Sequence, residues 1–316
     1  MKLVMIDCVP GGRPGAILAS GEILHLERAA LPGSAEAWLP RTLKDILRAG
    51  DDGLMIVRGI VSRVEGMSGD ERAGLHHRAI LPSTTPLLAP LPDPRLFVSA
   101  GHAYRSHVDE MKSKAPATPQ GFLKAPGTIV GPRDDIRLPP QCPDRVDFEG
   151  EICAVIGRHC HNVTPDRAMD CIAGYTITND VSARDWVPEI AKARTTPEAR
   201  AAWDLNHMGK QLPGFSPLGP ALVTADEVDP VRLELTTRLN GEVMQNAVTS
   251  DLIFTVAESL AFFSRWYEFT PGDILSTGTP AGVGFGRNPQ VFIKPGDIVE
   301  VEVSGLGKIS NRFVAG

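Results

Sequence analysis

Five prolines, Pro82, Pro86, Pro90, Pro92 and Pro94, crowd the stretch Leu81–Pro94 and limit what this chain can fold into. Proline has no backbone N–H and a fixed φ, so neither a helix interior nor a central strand can run through such a stretch. We read it as a linker with a domain boundary near residue 90. Before it, short strand patterns at Lys2–Ile6, Ala16–Leu18 and Ile23–Leu26 are broken by glycine-rich turns. A helix is predicted over Leu39–Ala49, with Leu39, Leu43, Ile46 and Leu47 on one face and Gly50 as its stop. Residues 1–90 thus read as a small β-rich domain and residues 91–316 as a larger one.

The larger segment mixes strands with occasional helices and shows no repeating βα unit, which predicts an α+β fold. Thr164-Pro165 reads as the start of a helix reaching Ile172, and Thr249 or Ser250 as the cap of another that buries Leu252, Ile253, Val256, Ala257 and Leu260. A further helix is predicted over Pro197–Leu205. Asn240-Gly241 between Arg232–Leu239 and Glu242–Gln245 predicts a hairpin with a two-residue turn. Pro-Gly-Asp turns at 271–273 and 295–297 precede apolar strands.

Net charge excludes some partners. At −6 over 316 residues, the chain is a poor match for nucleic acid or an anionic membrane. No stretch approaches the length of a membrane span, and Met1–Asp7 lacks the apolar core of a signal peptide. Cys8, Cys142, Cys153, Cys160 and Cys171 are odd in number and follow no framework spacing, which predicts reduced thiols and a cytoplasmic protein.

The chemistry concentrates around Glu149 and Glu151. They stand in Val146–Gly157, whose apolar alternation predicts a strand, so their side chains project from one face. Two carboxylates that close repel unless a cation or a shared proton compensates, and an all-oxygen donor set suits Mg²⁺ or a close relative better than Zn²⁺. Two exposed glutamates on an edge strand is the bland alternative. Asp180 ends the strand-like run Gly174–Asp180 and can complete such a set, although alone it fits an Asx-turn or a helix cap equally well. His107 and Glu110 share a face if their segment is helical, and a carboxylate-held histidine is a competent general base. Lys210 follows Gly209 in a Pro- and Gly-rich segment. Gly278–Gly284 is a glycine-rich loop whose N–H groups, with the Thr279 hydroxyl, can hold a carboxylate. It is neither a phosphate-binding P-loop nor a dinucleotide fingerprint.

Taken in order, these features resemble the fumarylacetoacetate hydrolase family. The resemblance covers about residues 95–314. It rests on His107-x-x-Glu110, Phe148-Glu149-x-Glu151, Gly174-Tyr175 through Asn179-Asp180-Val181-Ser182-Ala183-Arg184-Asp185, Lys210, Gly219-Pro220, Asn240-Gly241, Gly278-Thr279-Pro280-Ala281-Gly282 and both Pro-Gly-Asp turns. It implies a mixed β-sandwich roll, a homodimer, and a Mg²⁺ or Mn²⁺ ion held by Glu149, Glu151 and Asp180. It implies His107 and Glu110 as the general-base pair, Lys210 as a stabiliser of developing negative charge, and Tyr104, Gly278 and Thr279 at the substrate. The implied substrate is a small anionic 2-oxo acid, with C–C hydrolysis of a 2,4-dioxo acid as the expected reaction. Decarboxylation or enol–keto isomerisation on the same site is the alternative. Three features depart from the family pattern. Trp186-Val187 stands where a substrate-contacting Gln is frequent, His102-Ala103-Tyr104 replaces the usual Asn-Tyr, and the segment from Asp185 to Lys210 is long. His102 reads as structural ahead of a second catalytic histidine.

Overall fold

The computed structural model describes residues 1–76, 78–185 and 187–316. A mixed α+β architecture holds one large sheet against a smaller one. Among the described residues the large sheet runs in the order Ile80–Leu81, Ile23–His25, Arg13–Ile17, Lys2–Ile6, Ser216–Thr224, Ile172–Asn179, Gly150–Ile156, Ile274–Ser276, Phe97–Gly101 and Gln120–Leu123. The smaller sheet orders Glu242–Val248, Glu234–Leu239, Ile298–Val303, Gly307–Val314 and Ile136–Arg137. No helix of the described residues is long and apolar enough to cross a membrane.

Strand alternation decides what lies on each side. In Gly150–Ile156, Ile152, Ala154 and Ile156 join a core with Leu235, Val301 and Ile309 of the smaller sheet, while Cys153 and Val155 face a second core with Ile46, Val57 and Ile60. A two-sided strand of this kind reads as a continuous apolar run, and all seven of its residues are buried.

The N-terminal segment is not a separate sheet. Lys2 and Leu3 pair with Val223 and Leu222, and within the proline-rich stretch Leu87–Leu88 pairs with Met5–Ile6. The stretch expected to be a bare linker therefore supplies a short edge strand between its prolines. We retain the division at residue 90 as a proposal about chain organisation.

Several local boundaries differ from the sequence reading. Gly50 does not stop a helix but joins two, Leu43–Arg48 and Gly50–Glu65, through a positive φ of 65°. The expected 249–260 helix is split: Thr249–Asp251 is a 3₁₀ turn, and the helix is Val256–Phe263, capped by Thr255 with Glu258 in a reciprocal capping box. A second box, Thr195 with Glu198, opens Thr196–Met208, longer than the expected 197–205. The 164–172 helix becomes Pro165–Ala168 followed by a 3₁₀ turn.

Candidate active site and metal centre

The strand expected to run unbroken from Val146 divides at Phe148-Glu149. Asp147 draws its oxygens to the backbone N–H groups of Phe148, Gly284 and Phe285, which turns the chain out of strand geometry. Pairing resumes at once: Gly150 stands opposite Asn179, Glu151 opposite Thr178, and the Asp180 N–H donates to the Glu149 carbonyl at 2.8 Å. Residues directly opposite in an antiparallel pair point to the same face, so this register sends Glu149, Glu151 and Asp180 to one side. Their carboxylate oxygens come within 4.8 Å of one another, and all three residues are buried. Gly150 must stay small, because a Cβ there would lie 2.2 Å from Thr237 Oγ1.

Buried carboxylates need compensation, and the structure provides it unevenly. Lys210 Nζ donates to Glu149 at 2.5 Å and to Asp180 at 2.7 Å. Lys124, fully enclosed, donates to the other oxygen of Asp180 and to the Phe215 carbonyl. Arg184 bridges Asp147 at 3.0 Å and Glu149. Among the described residues, Glu151 receives only the Ser276 hydroxyl. The acidities follow. Burial would raise the Glu149 carboxyl, but Arg184 and Lys210 outweigh it and hold it well below the usual range. Burial, reinforced by Asp180 and Glu149, pushes Glu151 well above it. Three oxygen donors, one without a cation of its own, fit a hard divalent ion. Lys124, Asp147 and Ser276 were missed from the sequence, because no local pattern marks a lone Lys or Ser that arrives from another strand.

His107 and Glu110 lie on the helix Arg105–Glu110, with His107 Nδ1 3.1 Å from Glu110 Oε2. The other Glu110 oxygen accepts the Gly282 N–H at 2.9 Å, which ties the pair to the glycine-rich loop. His107, Glu149, Glu151 and Lys210 all line one cavity of about 350 Å³. His102 lines it too, in a left-handed conformation (φ 50°) with its ring centroid 6.3 Å from that of His107. A histidine there carries backbone strain that a glycine would avoid.

The residues expected at the substrate fare differently. Thr279 reaches the cavity wall, but its hydroxyl already donates to the Gly150 carbonyl and accepts from Gln245 Nε2 at 2.7 Å. Tyr104 is a core residue, 1% exposed and packed in the inter-sheet core, and it does not line the cavity. Gly278 stands off the cavity wall, and its positive φ of 80° and a Cβ site 2.9 Å from the Ala100 carbonyl explain the glycine on structural grounds. Trp186 lies outside the described residues. All five cysteines are free thiols.

The family model for the fumarylacetoacetate hydrolase C-terminal domain matches residues 97–314, which takes in the smaller sheet, the large sheet from Phe97 onwards and every residue of the acidic cluster. The chain belongs to the fumarylacetoacetate hydrolase family. It is 38% identical over 278 residues to the human mitochondrial oxaloacetate tautomerase FAHD2B, covering 87% of this chain and 81% of that one. Among solved structures, fumarylacetoacetate hydrolase from Exiguobacterium antarcticum superposes with a TM-score of 0.76 at 30% identity, with all of both chains covered. Maleylpyruvate hydrolase from Sphingobium sp. SYK-6, in complex with manganese(II) and pyruvate, gives 0.71 at 26% identity, again over all of both chains.

Proposed function

We propose that this family member is a divalent-metal-dependent enzyme that moves a proton between C3 and the 2-oxo oxygen of a 2-oxo acid, interconverting its keto and enol forms. The observation that carries this reading is that His107, hydrogen-bonded to Glu110, lines the same cavity as Glu149 and Glu151 of the buried carboxylate triad. A Mg²⁺ or Mn²⁺ ion held by Glu149, Glu151 and Asp180 would act as a Lewis acid towards the carboxylate and 2-oxo oxygens of the substrate. With Nδ1–H donated to Glu110, the Nε2 lone pair of His107 is free to take the proton from C3. Glu110 then stabilises the imidazolium, and the Gly282 N–H keeps its carboxylate from swinging away. His107 returns the proton to oxygen in one direction and to carbon in the other. Lys210, held beside Glu149 and Asp180, offsets negative charge developing on the substrate. The human relative's activity as an oxaloacetate tautomerase supports this reaction.

A second reading, C–C hydrolysis of a 2,4-dioxo acid, is favoured by the volume of the cavity. About 350 Å³ is more than a four-carbon acid fills, and it is walled by Phe122, Trp203, Val187 and Ile190 beyond the charged end. In that reaction His107 would take a proton from water as its oxygen attacks the C4 carbonyl. One assay separates the two. The purified protein with Mn²⁺, before and after EDTA, is given enol-oxaloacetate and a set of acylpyruvates. EDTA-sensitive loss of the enol, without pyruvate release, supports the isomerase; pyruvate plus a carboxylic acid from the acylpyruvates supports the hydrolase. Either activity surviving intact in His107→Ala overturns the role given to that residue.

A further inference from the structure

The cavity wall carries a polar group that this chemistry leaves unused. Asn206 and Ala202, one turn apart, are the buried residues of the Thr196–Met208 helix. The Asn206 side chain lines the cavity, only 6% of the residue is exposed, and its amide oxygen has no hydrogen-bond partner among the described residues. Asparagine is a weak helix former, and an unpaired buried amide opposes folding. Leucine or alanine would serve packing better, so the amide calls for a ligand.

An aromatic wall leads to the same place from the triad. Lys210 Nζ stands 5.6 Å from the Phe122 ring centre. Phe122 stacks on His207 with centroids 5.1 Å apart and planes 18° apart, and Trp203 follows at 6.1 Å from His207. Flat apolar faces of this kind accept a planar group. The charges on the wall are already taken: Arg184 and Lys210 are held by carboxylates. Burial, with the charge of Lys210, holds His207 below the usual histidine range, and burial with His107 does the same for His102. Both shifts favour the neutral imidazole, and among the described residues the wall offers no unpaired cation to a second carboxylate. A hydroxyl both donates and accepts, so it satisfies the Asn206 amide in either of its two orientations.

We propose that Asn206 selects the substrate tail, hydrogen-bonding the hydroxyl of a neutral, planar ring that rests on Phe122, His207 and Trp203. The inference builds on the 2-oxo acid reading above and adds to it a substrate class, the hydroxyaryl 2-oxo acids. The test is calorimetric titration of the Mn²⁺-loaded protein with pyruvate, phenylpyruvate and 4-hydroxyphenylpyruvate. The ring is expected to strengthen binding at least about tenfold over pyruvate, as aromatic burial of this extent does. The hydroxyl adds about a further fivefold, the ordinary worth of one hydrogen bond. In Asn206→Ala, and in Asn206→Leu should the alanine variant misfold, the affinity ratio between the two ring acids falls to about one. Trp203→Leu weakens both ring acids together. Equal affinity of the two ring acids for the wild-type protein overturns the proposal, as does a ratio that survives loss of the amide; a water alone would then satisfy Asn206. Pyruvate binding without any gain from the ring overturns it while leaving the 2-oxo acid reading in place. Failure of all three acids to bind overturns that reading, and this proposal with it.

Discussion

Two neighbouring glutamates of the same cluster are predicted to respond in opposite ways to loss of their charge. Glu149 is the partner of both Arg184 and Lys210, whereas Glu151 has, among the described residues, only a serine hydroxyl. Glu149→Gln leaves two buried cations short of a counter-charge, and breaking a buried pair this way costs about 3–5 kcal/mol. Unfolding entropy near 2.1 cal/mol/K per residue gives about 0.66 kcal/mol/K for a chain of 316 residues. The melting temperature of the EDTA-treated protein should therefore fall by about 5–8 °C. Glu151→Gln breaks no ion pair and relieves repulsion from Asp180 and Glu149, so the same measurement should show no loss. With divalent ion at about one hundred times its dissociation constant, the wild-type protein gains about 2.7 kcal/mol, or about 4 °C. Both variants should lose that gain. Differential scanning fluorimetry in EDTA and in excess Mn²⁺ or Mg²⁺ reads all of these numbers. An apo melting temperature as low for Glu151→Gln as for Glu149→Gln would make Glu151 a structural residue. An undiminished ion-induced shift in either variant would remove that residue from the ligand set.

Four other outcomes follow from the same geometry. His107→Ala should abolish turnover while leaving the ion-induced thermal shift in place; loss of both together would make His107 structural. Lys210→Met should lower kcat more than it raises KM, and a loss confined to KM would point to ground-state binding. Of the five thiols, Cys8 alone should react rapidly with a disulfide reagent in the native protein, since it is exposed, while Cys142 is buried and its thiol pushed up to about 11; labelling of a second thiol before unfolding contradicts the packing. Burial, helped by Arg28, lowers the His25 pKa, so the unfolded chain binds the extra proton first and stability should decline as pH falls below about 6.5. Urea melts between pH 7.5 and 5.5 test this, and an unchanged slope in His25→Asn would assign the decline to another group.

The acidic cluster was legible because it depends on strand parity, which a single sequence carries. Glu149 and Glu151 are two apart, and Asp180 ends the run that becomes the neighbouring strand. Only the pairing register was needed to bring the third carboxylate to the other two, and a connection of fifteen residues between the adjacent antiparallel strands Gly150–Ile156 and Ile172–Asn179 left that register open. His107 and Glu110 were legible for the helical counterpart of the same reason. Local breaks were less so. Asp147 reads as one more strand residue, yet its carboxylate captures three backbone N–H groups and ends the pairing. Thr255 and Glu258 carry a full capping-box spacing, and the apolar Leu252 and Ile253 ahead of them drew the predicted helix start too early.

What could not be read from the sequence is how the surplus of negative charge is divided. Lys124 arrives just after the edge strand Gln120–Leu123 and binds the Asp180 oxygen that Lys210 does not, in a buried environment. Its position is set by where that strand docks, a tertiary event with no local signature. The consequence is functional. With Lys124, Lys210 and Arg184 distributed over Asp147, Glu149 and Asp180, the fold neutralises three of four carboxylates and leaves Glu151 facing the cavity without a cation. A fourth lysine or arginine there would have been the simpler way to stabilise the core, because an uncompensated buried carboxylate works against folding. Its absence among the described residues places the electrostatic deficit on the cavity side of the cluster, where an ion entering with the substrate's path open can correct it.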